Sequence, residues 1–207
     1  HPLPKGGRVM PALIQKSGYI KPGNGGGHYA EYIATREGVE LIDAPSPSHD
    51  GGGYLEYMAE RPRSHGLFSA DGPANLEKTM EEINGHTGPV WTFVYSLKRE
   101  DAARLGYDNA KAWMNLLRAN RNDIAAAMNI QPNHFRWYAA FHDEGKHPHV
   151  HMMAWSTQPG EAYLTRDGIR NIKSTLTNQI FKQEMLHTYE QKSQSRDELV
   201  REARRAI

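Results

Sequence analysis

The chain has 207 residues, 38% of them hydrophobic and 24% charged, which excludes wholesale disorder and suits one large domain or two small ones. It contains no cysteine, so disulfides and thiolate metal ligands are excluded; no apolar run reaches the roughly 18 residues of a membrane helix, and no signal-peptide core is visible. Lys and Arg number 25 against 24 Asp and Glu, so any nucleic-acid contact has to come from a local patch or from chemistry at a metal.

Residues 1–9 are set aside as a remnant of processing or cloning, with Met10 read as the initiator and 10–207 as a single domain, the N-terminal part of a longer protein. Residues 11–20 predict a short strand, and KPGNGGG (21–27) a loop. A helix follows over 28–38, closing at Gly38, with Tyr29, Tyr32 and Ile33 on one face by i, i+3, i+4 spacing. Residues 39–42 are read as a short strand, 43–53 as a loop, and 54–60 as a brief helix stopped by Arg61-Pro62.

After an irregular stretch over 64–75, an amphipathic helix is predicted over 75–83. In 89–97, Trp91, Phe93, Tyr95 and Leu97 alternate with Val90, Thr92, Val94 and Ser96, the period of a strand with one apolar face. A single helix is predicted over 108–129, capped by Asp108 and burying Trp113, Leu116, Leu117, Ile124 and Met128. Strands 135–142 and 149–156 flank a turn, a long helix begins near Thr165, and Ser195 with Glu198 forms a capping-box pattern for a separate final helix. No internal repeat is visible. The expected fold class is α+β, a central antiparallel sheet with helices mainly on one face.

Four of the eleven histidines fall in residues 142–151: His142, His147, His149 and His151. Alternation along a strand aims His149 and His151 the same way, about 6–7 Å apart, and pairing across the turn brings His142 onto that face. Three neutral imidazoles then form a site with open positions for substrate, as Lewis-acid catalysis requires. An all-imidazole set favours Mn, Co, Ni, Cu or Zn on affinity, whereas Mg needs help from substrate oxygens. Asp143 or Glu144 is placed to orient an imidazole, while His147, before Pro148, stands outside the trio. The plainer reading is a solvated His-rich loop. The string also fits the H-x-H-x-H of histidine-triad nucleotide hydrolases, through His147, His149 and His151, which leaves His142 idle.

With FHDEGKHPHVHMM and GHYAEYIATREG together, the chain resembles the MobP/MobL-type relaxases of conjugative elements, within the HUH endonucleases. His149-Val150-His151 reproduces the two histidines flanking a bulky hydrophobic residue, and His142 stands at the family's third ligand, seven positions earlier. The segments SHGLF, VWTFVYSLKREDA and RWYAAFH support the resemblance, which runs from about Met10 to the last helix. Glu144 departs from the H-x-D often found after the first ligand.

The resemblance implies an HUH relaxase-like fold and a tyrosine that attacks a phosphodiester at the transfer origin, leaving a 3′-OH and a 5′-phosphotyrosine adduct. It implies a divalent ion, Mn or Mg in function with Zn, Ni or Co also accepted. It further implies single-stranded or hairpin origin DNA, auxiliary relaxosome proteins and a coupling protein as partners. The place of action would be the bacterial cytoplasm, without membrane insertion, followed by passage with the DNA into the recipient. The family's early nucleophile segment, similar to GLVKYIT, aligns on HYAEYIAT and points to Tyr32, with Tyr29 one helical turn away. Both also suit a core aromatic pair. A free phenol has a pKa of about 10, so attack needs a metal, a base or a cation at hand. Arg36 is a candidate phosphate contact, and Lys98 and Arg99 a candidate basic rim, as are Arg196, Arg201, Arg204 and Arg205, which alternate with Asp197, Glu198 and Glu202.

Overall fold

Apolar alternation in three long segments builds the centre of a six-stranded antiparallel sheet. A computed structural model describes residues 12–21, 26–36, 39, 66–143 and 145–206. The strands are β1 (Ile14–Ile20), β2 (Phe68–Ser69), β3 (Gly72–Pro73), β4 (Val90–Ser96), β5 (Phe135–His142) and β6 (His149–Ser156), ordered β1-β4-β6-β5-β2-β3. Every neighbouring pair is antiparallel. The helices are α1 (Gly26–Thr35), α2 (Leu76–Asn84), α3 (Arg99–Leu105), α4 (Ala110–Ala119), α5 (Arg121–Ala127) and α6 (Arg166–Arg205), with a 3-10 turn at Pro132–His134.

Each sheet face has its own core. On one, Phe93, Tyr95, Trp137, Phe141, Val150 and Met152 pack with Ala102 of α3, Trp113 and Leu117 of α4, Ile124 of α5, and Ile172, Leu176 and Ile180 of α6. On the other, Val90, Tyr138, Ala140, Met153 and Trp155 meet Ala30, Ile33 and Ala34 of α1 and Leu76 and Ile83 of α2. Among the described residues, four helices on one face and two on the other make an α+β fold with its helices mainly on one side. Among the described residues no helix is long and apolar enough to cross a membrane.

Several local expectations are corrected. α1 begins inside the glycine run that reads as a loop, because glycine is what its packing on α2 demands. A Cβ at Gly26 would stand 2.4 Å from Ile83 Cγ2, and the Gly27 N–H donates to Asn84 Oδ1 at 3.2 Å. The predicted helix over 108–129 is two helices, broken at Asn120, whose side-chain amide donates back to the Leu116 carbonyl at 2.8 Å. Its cap is Asn109 rather than Asp108, accepting from the Ala112 N–H at 2.9 Å.

Thr165 does cap α6, accepting from Gly168 N–H. That helix continues past Ser195 and Glu198, because N–H groups already bonded one turn back leave a capping side chain nothing to satisfy. The short β2–β3 hairpin replaces a stretch that read as irregular, and α3 adds a helix that no expectation covered, each too brief to show a period. The loop and helix expected over 43–60 lie outside the described residues.

One polar fork clamps α2 to the sheet. Arg136 of β5 donates twice to Glu82, at 2.8 and 3.0 Å, and the Tyr138 hydroxyl donates to the same carboxylate at 2.8 Å. Burial pushes the Glu82 pKa up, but the bonds from Arg136 and Tyr138 outweigh it and hold the carboxyl below its usual range. A depressed carboxylate pKa stabilises the fold above the unfolded-state value, and that stabilisation is lost as pH falls through the folded value. Glu82→Gln is therefore expected to cost about 1–2 kcal/mol near neutrality. Urea denaturation should show the gap from wild type shrinking below about pH 4; a gap of constant size across pH would contradict this account.

Candidate metal centre and active site

The site grows from the β5–β6 hairpin. In its register His142 stands opposite His149 and Ala140 opposite His151, so strand alternation gathers all three imidazoles on the face that α1 and α2 cover. Ring centroids are 4.5 Å apart for His142 and His151, 5.0 Å for His142 and His149, and 5.0 Å for His149 and His151. One nitrogen from each ring lies within 4.8 Å of the others, a grouping that could hold a metal ion. A four-coordinate ion with nitrogens at about 2.1 Å places neighbouring donors about 3.4 Å apart, so the rings need to close by at most about 1.4 Å.

Hydrogen bonds set which nitrogens face the centre. His142 Nε2 is 2.8 Å from the Ile33 carbonyl, and His149 Nδ1 is 3.0 Å from the His147 carbonyl. A carbonyl only accepts, so those two nitrogens carry the protons. In the neutral form of each ring, His142 Nδ1 and His149 Nε2 are then the nitrogens that carry the lone pair. Among the described residues His151 Nε2 is buried with no hydrogen-bond partner, while its Nδ1 lies 3.3 Å from the Tyr29 hydroxyl.

Burial, and then the neighbouring His142, His149 and Arg36, pull the His151 pKa down to about 3, so the ring is neutral at ordinary pH. A neutral His151 with its buried Nε2 unsatisfied fits a divalent ion, since ligation needs the deprotonated nitrogen.

α1 carries the tyrosines to this centre. Ile33 belongs to its last turn, where carbonyls have no partner within the helix, and His142 satisfies that one. The Gly66 N–H serves the next, on Ala34, at 3.0 Å. Tyr29 lies edge-on to His151, with ring centroids 6.5 Å apart. Burial, and then the charge of Tyr32, raise the Tyr29 pKa. Tyr32 stands 53% exposed, with the Arg36 guanidinium 5.4 Å from its ring centre. Of the expected groups, the structure thus brings together His142, His149, His151, Tyr29, Tyr32 and Arg36.

The others are arranged differently. Arg99 grips the hairpin turn: it donates to Asp143 Oδ1 at 2.8 Å and to the Gly145 carbonyl at 2.7 Å, while its own N–H reaches the Lys146 carbonyl at 2.9 Å. Its charge is thus partnered, and Asp143 serves the turn instead of orienting an imidazole. Lys98 is exposed just before it, and Glu144 lies outside the described residues. Backbone carbonyls of Ile33 and His147 orient two of the rings, a role that no residue-type motif announces. His147 is exposed in the turn and outside the cluster, which removes the first histidine from the H-x-H-x-H reading.

The sequence model of the family described as MobL relaxases matches residues 10–207. No curated protein and no solved structure shows significant similarity to the chain. The family match covers nearly all of the chain and the whole of the site just described, and the chain belongs to the MobL relaxases, DNA-nicking enzymes of conjugative mobilisation.

Proposed function

We propose that the chain nicks single-stranded origin-of-transfer DNA in a site- and strand-specific way, with Tyr32 as nucleophile and a divalent ion held by His142, His149 and His151. The observation that carries this reading is the gathering of three imidazole donors at the end of the helix that also presents an exposed phenol. Mn or Mg is the working ion, with Zn, Ni or Co also suited to the donors. When bound, the ion neutralises charge on the non-bridging oxygens of the scissile phosphate.

The rest of the chemistry falls to side chains. The Tyr32 oxygen attacks phosphorus as its proton leaves to solvent or a base; the bond from phosphorus to the 3′-oxygen breaks, and that oxygen takes up a proton. The products are a 3′-OH and a 5′-phosphotyrosine, whose retained bond energy lets the strand be rejoined. Arg36, over the Tyr32 ring, supplies a cation where negative charge collects. Lys98, exposed after β4, is assigned as a further contact to the DNA backbone. The same reading takes hairpin origin DNA, auxiliary relaxosome proteins and a coupling protein as partners. It places the reaction in the bacterial cytoplasm before passage with the DNA into a recipient.

Incubation with single-stranded origin DNA and Mn²⁺ is expected to yield a denaturation-resistant protein–DNA adduct. Tyr32→Phe should abolish it, whereas His149→Ala or His151→Ala should lower its yield by about 100-fold; an undiminished adduct in Tyr32→Phe rules Tyr32 out. Chelator should stop adduct formation and added Mn²⁺ restore it, and activity persisting in chelator would remove the ion from the reaction. Arg36→Gln is expected to slow the adduct about tenfold, with Arg36→Lys falling between it and wild type. Equal rates for all three proteins would leave Arg36 with no part in the chemistry.

A further inference from the structure

We infer that Tyr29 is a positioning residue, whose hydroxyl accepts a hydrogen bond from Nδ1–H of His151 and so holds that ring in the tautomer whose Nε2 can ligate the ion. The inference rests on the metal reading above and assigns different tasks to the two tyrosines of α1.

The three imidazoles differ in what stands behind them. His142 and His149 each face a backbone carbonyl, at 2.8 and 3.0 Å, and a carbonyl can hold only one tautomer. His151 faces a phenol at 3.3 Å instead. A phenol donates or accepts. If Tyr29 donates to Nδ1, the neutral ring carries its proton on Nε2 and has no lone pair there. If Tyr29 accepts, Nε2 is a ligand. Since Nε2 is buried with no hydrogen-bond partner among the described residues, the first arrangement would strand a buried N–H, and the second leaves a lone pair aimed at the centre. Ligation therefore favours the arrangement in which Tyr29 accepts.

Placement separates the tyrosines further. The two ring nitrogens of an imidazole point away from each other, so a hydroxyl bonded to Nδ1 stands behind the ring as seen from Nε2. Tyr29 is half-buried there, edge-on to His151. Tyr32, three residues on, is the phenol that solvent reaches. A strand entering the site meets Tyr32 first, while Tyr29 backs the ligand.

Three measurements test this. In the wild-type protein loaded with Zn²⁺, long-range ¹H–¹⁵N spectra should show His151 protonated on Nδ1; protonation on Nε2 overturns the inference without recourse to any variant. By calorimetry, Tyr29→Phe, which keeps the ring and loses only the hydroxyl, should weaken Zn²⁺ and Mn²⁺ binding about tenfold. Half-maximal adduct formation should then move to correspondingly higher Mn²⁺, while Tyr32→Phe loses the adduct with its metal affinity unchanged. Wild-type metal affinity in Tyr29→Phe overturns the inference, and so does loss of the adduct at saturating Mn²⁺, which would make Tyr29 the nucleophile. If the wild-type protein binds no divalent ion, the metal reading and this inference fall together; if it binds one and Tyr29→Phe binds it equally well, only the inference falls.

Discussion

The bond from His142 Nε2–H to the Ile33 carbonyl joins groups 109 residues apart in the chain, and the geometry of the site depends on it. A buried imidazole that is fully enclosed cannot take a partner from water, so leaving this bond unmade would cost about 1–3 kcal/mol, more than its net contribution when formed. One interaction therefore settles three things: the tautomer of a prospective ligand, the end of α1, and the distance from the tyrosines to the hairpin. The main chain of His142 is held as well, by a bridge to Val39 just beyond the same helix. Side chain and backbone of this one residue are thus fastened to the same early stretch of chain.

α1 reaches that position through close contact rather than through polar attraction. Gly26 and Gly27 let its first turn lie against Ile83 and Asn84 of α2, and the Glu82 fork holds α2 to β5. The tyrosines are carried on an element wedged from both ends, glycine at one and the histidine bond at the other. Under the proposed chemistry, this arrangement would give the nucleophile a rigid support, where a small displacement costs much of the rate.

What was legible in the sequence follows the reach of each signal. The β5–β6 hairpin could be read because a period of two, a Gly-Pro-bearing turn and the histidine spacing all lie within one short window. Its consequence, three rings on one face, needs nothing further. The break at Asn120 was hidden because it interrupts neither the apolar spacing nor the helical composition; it shows only in a side chain bonding back to Leu116. The carbonyl partners of His142 and His149 could not be foreseen, since every residue has a carbonyl and only the fold selects Ile33 and His147. Asp143 was misjudged for a related reason, and its pairing with Arg99 was not foreseen. Charge near a metal motif suggests a role toward ligand or substrate, but here two opposite charges find each other across the turn.

The antiparallel register carries a last implication. His142 and His149 are cross-strand partners, and Phe141 and Val150 are the adjoining pair on the opposite face. Slipping either strand by one position would turn its histidines into the layer occupied by Trp113 and Leu117 and move its aromatic and aliphatic residues to the face that α1 and α2 cover. The core beneath Trp113 thus acts as proofreader for the histidine face: no misaligned hairpin can fill that core and keep its imidazoles assembled at once. Selection for a well-filled interior and selection for chemistry pull on the same alignment, so neither can drift without the other being lost.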